Sequence, residues 1–139
     1  YAYSERINKI EAEAIQAFAH SKGKKTLSIG VKQSFTDLYV NVDPFTLLAY
    51  IKNADYVITD TFHGTVFSIK YQIPFATLIR PSNIEKLSDL LEKFGLSSRT
   101  VNDANNIKDV CTEEIDKLNI LKLLKTYRES AITYLKDNL

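Results

Sequence analysis

Short apolar runs alternate along this chain with longer stretches in which apolar side chains recur at helical spacing. Ser4, with Glu5 in the following turn, opens the first such stretch. Ile7, Ile10, Ala14 and Phe18 recur on one side of it until Gly23 stops it. Residues 26–31 then alternate polar and apolar, as a strand with one packed face does. Residues 32–42 match neither period and read as a loop with one turn of structure. Asp43-Pro44 is a cap followed by proline at the first helical position, and Leu47, Leu48 and Ile51 give that helix a buried stripe ending near Asn53.

The second half repeats the alternation. A strand over 56–59 leads into a helix over 62–71 with Val66 and Ile69 inward, and residues 75–79 form the next strand. Pro81 breaks that strand, and Ser82 or Asn83 caps a helix carrying Ile84, Leu87, Leu91 and Phe94, closed by Gly95. Val101 belongs to a short edge strand. From Asn106 onward the chain is helical by composition, with Ile115, Leu118, Leu121 and Leu124 ahead of Tyr127, Ala131 and Leu135. Helices alternating with short, continuously apolar strands predict an α/β fold: a three-layer, Rossmann-like parallel sheet with helices on both faces. The expected organisation is one domain over 1–139, with the helices of 106–139 packed on it.

Composition narrows the classes. At 139 residues the chain is long enough for one core without metal or disulfide staples. Eighteen basic against 17 acidic residues leave a formal charge of +1, which offers no bulk attraction to nucleic acid, so no nucleic-acid partner is expected. The run His20, Lys22, Lys24, Lys25 reads as a solvated helix exit. Cys111 is the only cysteine, which excludes an intrachain disulfide and fits a reducing compartment. No apolar stretch reaches the length of a membrane span and no leader precedes Ser4, so a cytoplasmic protein is expected, associated with the inner face of the membrane through substrate or partners. Tyr1-Ala2-Tyr3 reads as the end of a strand, which suggests a segment of a longer chain.

The chemistry concentrates in Asp60-Thr61-Phe62-His63-Gly64-Thr65, between a strand and a helix. In an open parallel sheet, ligands reach the carboxyl ends of strands, where such turns lie. The start of a helix also presents unpaired amides and the positive end of the peptide dipoles, which suit a phosphate or carboxylate. Gly64 allows close approach to the backbone, and Thr61 and Thr65 can add hydroxyl hydrogen bonds. His63 is the candidate for reactivity, since imidazole can give a proton to a leaving oxygen or take one from a sugar hydroxyl. The competing reading is a histidine that merely fills a tight turn. Asp60 either orients His63 or holds the turn. Arg80, after the 75–79 strand, and Lys86, one turn into the next helix, are candidates for neutralising an anion, against the plainer reading as surface charges. With only two histidines, His20 and His63, and no acid at ligand spacing, no metal is expected. Gly30 and Gly64 stand alone, so the glycine-rich phosphate loops are absent and no cofactor is expected.

These residues resemble the polysaccharide pyruvyl transferase family. The resemblance rests on the block from Asn53 through Asp60-Thr61-Phe62-His63-Gly64-Thr65 to Ile69, on Ile73-Pro74-Phe75, and on the segment from Leu87 to Arg99, where an apolar helix ends at a glycine followed by leucine and an arginine. It implies a glycosyltransferase-B-like architecture of two Rossmann-like halves, of which this chain resembles the C-terminal one. It also implies transfer of a pyruvyl group from phosphoenolpyruvate, or another anionic donor, to a pair of hydroxyls on a saccharide acceptor, nucleotide- or lipid-linked, in surface polysaccharide synthesis. Carried over, His63 is the acid/base and Asp60 its catalytic neighbour, while Thr61, Phe62, Gly64, Thr65, Arg80 and Lys86 bind substrate. Thr61 stands where the family has serine, which keeps the hydroxyl. Lys86 stands where an arginine is common, which keeps charge and loses the two-pronged grip.

Because donor and acceptor meet between the halves of such an enzyme, the N-terminal domain of the same chain is an expected partner. The isolated segment is expected to fold without turning over. Two other functions fit the same residues: a nucleotide-sugar-dependent glycosyltransferase domain, and a non-catalytic binding module of the same fold that presents Tyr127 and Tyr134 to a partner.

Overall fold

The computed structural model describes residues 7–139, so the expected cap at Ser4 and the strand-like Tyr1-Ala2-Tyr3 lie outside the described residues. The first described helix, α1 (Lys9–Ser21), starts at Asn8. The Asn8 side chain accepts from the Glu11 amide at 2.9 Å and the Glu11 carboxylate accepts from the Asn8 amide at 2.9 Å, a reciprocal capping box. Of the expected inward face, Phe18 is buried and Ile7, which precedes the helix, and Ala14 pack against the same core, whereas Ile10 is 65 % exposed and Ile15 and the charged Glu11 are buried instead.

Strand β1 (Leu27–Ile29) pairs in parallel with β2 (Leu38–Val40), and β2 falls where a loop was expected. Apolar spacing could not reveal it, because Leu38 and Tyr39 are exposed and hydroxyl contacts hold the strand in place. Asp37 Oδ2 accepts from the Thr26 amide at 2.7 Å and the Thr26 hydroxyl at 2.8 Å, and Ser28 Oγ lies 2.8 Å from Thr36 Oγ1. The Thr26 amide, followed by the Thr26 hydroxyl, holds the Asp37 carboxyl below its usual range.

Helix α2 (Pro44–Lys52) is capped as expected by Asp43, which accepts from the Phe45 and Thr46 amides. Strands β3 (Val57–Thr59), β4 (Phe75–Leu78) and β5 (Thr100–Val101) form a second parallel sheet in the order β3-β4-β5, with α3 (Phe62–Tyr71) and α4 (Ile84–Lys93) as the intervening helices. Gly95 takes φ +66° just past α4, the left-handed position that the sequence assigned to it. Asn83 stands at the cap of α4 without capping it, because its side chain is turned elsewhere. The helical tail divides into α5 (Ile107–Thr112) and α6 (Lys117–Asn138).

Alternation along the second sheet builds two cores. Val57 and Phe75 face Ile51 of α2, Ile69 of α3, Leu91 of α4 and Ile120 of α6. Ala76, Leu78 and Val101 face Ile15 and Phe18 of α1 with Ile107 and Cys111 of α5. The result is the expected Rossmann-like α/β arrangement of parallel strands between helical layers. Among the described residues, no helix is long and apolar enough to cross a membrane.

Candidate active site

Asp60 and Thr61 make the whole connection from β3 to α3, at the carboxyl edge of the sheet. Thr61 caps α3: its Oγ1 accepts from the Gly64 amide at 2.8 Å, and its carbonyl accepts from the Thr65 amide at 3.1 Å and the Thr65 hydroxyl at 3.0 Å. Thr59 Oγ1 accepts from the Thr61 amide at 3.1 Å. Below these, Thr65 Oγ1 lies 3.2 Å from Thr77 Oγ1 on β4, and Ser68 Oγ donates to the Gly64 carbonyl at 2.8 Å. These buried hydroxyls satisfy one another and the first turn of the helix.

This network separates the predicted site residues into two groups. Thr61, Gly64 and Thr65 are buried, and the Gly64 and Thr65 amides are used within the turn. The close approach that requires a glycine at 64 is made by the chain itself: a Cβ there would collide with Thr59 Oγ1 and sit 2.8 Å from Thr61 Oγ1. Phe62 and His63 stand on the exposed side of the same turn. The His63 ring stacks on Phe67, with centroids 6.4 Å apart and planes 28° apart, and meets the Phe62 ring edge-on at 6.1 Å. The imidazole thus stands beside two aromatic rings at the mouth of the turn, on its exposed side.

Asp60 is 3 % exposed and does not bond the His63 ring: its Oδ2 lies 3.5 Å from Arg80 Nε, and its Oδ1 has no hydrogen-bond partner. Arg80 follows β4, so the parallel register brings it beside Asp60. Its two terminal nitrogens donate to Glu11, at 2.6 and 2.9 Å. The hydrogen bond to Glu11, with the charges of Glu11 and Asp60, raises the Arg80 pKa above its ordinary value against the opposing effect of burial. Asn83 completes the cluster, its amide nitrogen donating to the Asp60 carbonyl at 2.7 Å and its oxygen accepting from the Arg80 amide at 2.9 Å. Lys86 is exposed in the first turn of α4, three residues after Asn83.

Sequence reasoning missed Glu11 and the bridging role of Asn83. The Asn8-x-x-Glu11 spacing is a readable capping signature. Nothing local announces a pairing between positions 69 apart in the chain. A cleft of about 500 Å³ lies elsewhere, between β1 and β3, lined by Leu27, Ile29, Tyr56, Val57 and Ile58 among others and by none of residues 60–65. Its walls are mainly apolar, and the acid among them, Asp55, is paired with Lys24 at 3.1 Å. Among the described residues, no group of three or more His, Cys, Asp or Glu side chains could hold a metal ion.

The family model for polysaccharide pyruvyl transferase matches residues 1–83. No curated protein and no solved structure matched the chain. The matched stretch contains Glu11, the whole turn from Asp60 to Thr65, and Arg80. It stops short of the segment from Leu87 to Arg99, whose Arg99 is buried and donates to the carbonyls of Val110, Glu113 and Glu114, tying the β5 approach to the α5–α6 connection. With more than half of its length matched, and with the motif-bearing turn inside the match, this chain belongs to the polysaccharide pyruvyl transferase family.

Proposed function

We infer that this domain takes part in transferring a pyruvyl group from phosphoenolpyruvate to two hydroxyls of a saccharide in surface polysaccharide synthesis, with His63 as the acid/base. The observation that carries this reading is the exposed His63 ring at the start of α3, on the carboxyl edge of a parallel sheet. One sugar hydroxyl adds to the enol carbon that bears phosphate while the methylene carbon takes a proton. The second hydroxyl then displaces phosphate, closing a ketal. Of the two hydroxyl protons released, one balances the new methyl group and the other leaves with phosphate. An imidazole suits this sequence because it can accept a proton from a hydroxyl and return it to carbon or to the leaving oxygen.

The helix dipole of α3 favours an anionic donor beside His63. Thr61, Gly64 and Thr65 serve that site by holding the turn, Phe62 borders it, and Lys86 is the exposed cation available to a phosphate. In this reading the domain is one half of a glycosyltransferase-B-like enzyme, the acceptor meets the donor against an N-terminal domain, and the segment alone does not turn over. In the full-length protein, His63→Ala should cut phosphate release by about a hundredfold or more, the usual scale for a lost general acid or base, with the circular dichroism spectrum unchanged. Activity that survives this substitution makes His63 a packing residue. Binding of a uridine diphosphate sugar, with no binding of phosphoenolpyruvate, would move the domain to nucleotide-sugar transfer.

A further inference from the structure

Two carboxylates share one guanidinium at this edge. Glu11 receives both terminal nitrogens of Arg80 at 2.6 and 2.9 Å, whereas Asp60 receives only Nε, at 3.5 Å. The remaining Asp60 oxygen, Oδ1, is buried and has no partner. Buried carboxylate oxygens in native proteins are almost always paired, so this one calls for a donor. Three donors of the cluster are committed among the described residues: Asn83 Nδ2 goes to the Asp60 carbonyl, the Arg80 amide to Asn83, and the Thr61 amide to Thr59. Among the described residues, this cluster leaves no donor for Asp60 Oδ1.

We propose that Glu11 is a positioning residue, which holds Arg80 off Asp60 and thereby keeps one Asp60 carboxylate oxygen for a hydroxyl of the saccharide acceptor. The proposal rests on the pyruvyl-transfer reading and assigns this cluster to the acceptor rather than the donor. Charge decides that assignment. Two carboxylates and one guanidinium sum to a net negative cluster, which repels a phosphate or carboxylate and suits a neutral group that donates a hydrogen bond. Geometry explains the need for Glu11. Guanidinium and carboxylate groups prefer a two-pronged pair, so an Arg80 released by Glu11 would close on both Asp60 oxygens and remove the open acceptor.

Glu11→Gln weakens this grip, because glutamine at the same position keeps one acceptor oxygen for the capping box of α1 and gives up the charge and the second acceptor that hold Arg80. In the full-length protein, with phosphate release measured against each substrate, Glu11→Gln should raise KM for the saccharide about fivefold or more and leave KM for phosphoenolpyruvate within about twofold. Asp60→Asn should shift the same constant, and the double variant should be no worse than the poorer single one, since both act through one atom. A crystal structure of Glu11→Gln should show Arg80 on both Asp60 oxygens. A rise in KM for phosphoenolpyruvate instead, additive losses in the double variant, or an Arg80 that stays away from Asp60 overturns the assignment. Should Glu11→Gln not fold, Asp60→Asn, which leaves the Glu11–Arg80 pair intact, decides by the same KM comparison.

Absence of phosphate release in the unaltered full-length protein defeats the pyruvyl reading by itself. Saturation-transfer NMR with methyl glucoside then tests Glu11 separately. Weaker saccharide binding in Glu11→Gln supports the proposal, and unchanged or absent binding overturns it.

Discussion

At position 64 the side chain is constrained by its own neighbours, since a methyl group there would strike the Thr59 hydroxyl and lie 2.9 Å from the Thr59 Cβ. Both contacts are to a short, buried β-branched residue that has no room to withdraw. Gly64→Ala should therefore destabilise the domain by about 1–3 kcal/mol, the usual cost of overpacking, as read from urea denaturation. Stability equal to the parent would show that the turn relaxes and that the glycine answers to a ligand instead. The residues around it divide the work of the turn. Thr61 and Thr65 satisfy the backbone from inside, while Phe62 and His63 face outward, so a motif that is contiguous in sequence is split between structure and chemistry by a single helical turn.

Among the elements, α6 is anchored at one end only. Ile120 is buried in the core shared by α2, α3 and α4, and Tyr127 packs its ring 5.5 Å from that of Phe94. Every residue from Lys125 onward is exposed, including Ile132, Tyr134 and Leu135. The ion pair of Lys125 with Glu129 in that stretch, at 3.9 Å, is exposed and worth little. A chain ending at Arg128 should unfold at the same urea midpoint as the parent, within about 0.5 kcal/mol. A larger loss would mean that the distal turns support the body through contacts absent from this fold. α1 behaves in the opposite way, because its first turn is bound into the candidate site: Glu11 caps the helix and grips Arg80 with the same carboxylate.

For the molecule as a whole, the alkaline side of the stability curve has an identifiable contributor. Burial between α5 and the sheet pushes the Cys111 thiol from 9.0 up to about 12, against the opposing effect of the Arg99 charge. In the unfolded chain the thiol ionises near its ordinary value. Its contribution to stability is therefore complete below about pH 9 and is lost as pH rises towards 12, at up to about 1.4 kcal/mol per pH unit. Between these limits the slope of unfolding free energy against pH should be shallower in Cys111→Ala than in the parent by close to one proton. Equal slopes would show that the thiol is not buried in solution.

Much of this molecule was legible in its residues one window at a time. The alternation of helix and strand, the Asp43-Pro44 helix start, the glycine that ends α4 and the location of the strand-to-helix turn all follow from local causes: periodicity, caps and backbone preference act over a few residues. Which side chains meet was settled at another level. Arg80 reaches Asp60 because β3 and β4 are parallel neighbours, Glu11 reaches Arg80 because α1 packs against the same sheet, and β2 exists because hydroxyls and a carboxylate across the loop hold an exposed strand in register. Contacts of this kind depend on the order of strands and the placement of layers. No stretch of chain carries them alone, and only the packed fold brings the three charges of Glu11, Arg80 and Asp60 to one edge.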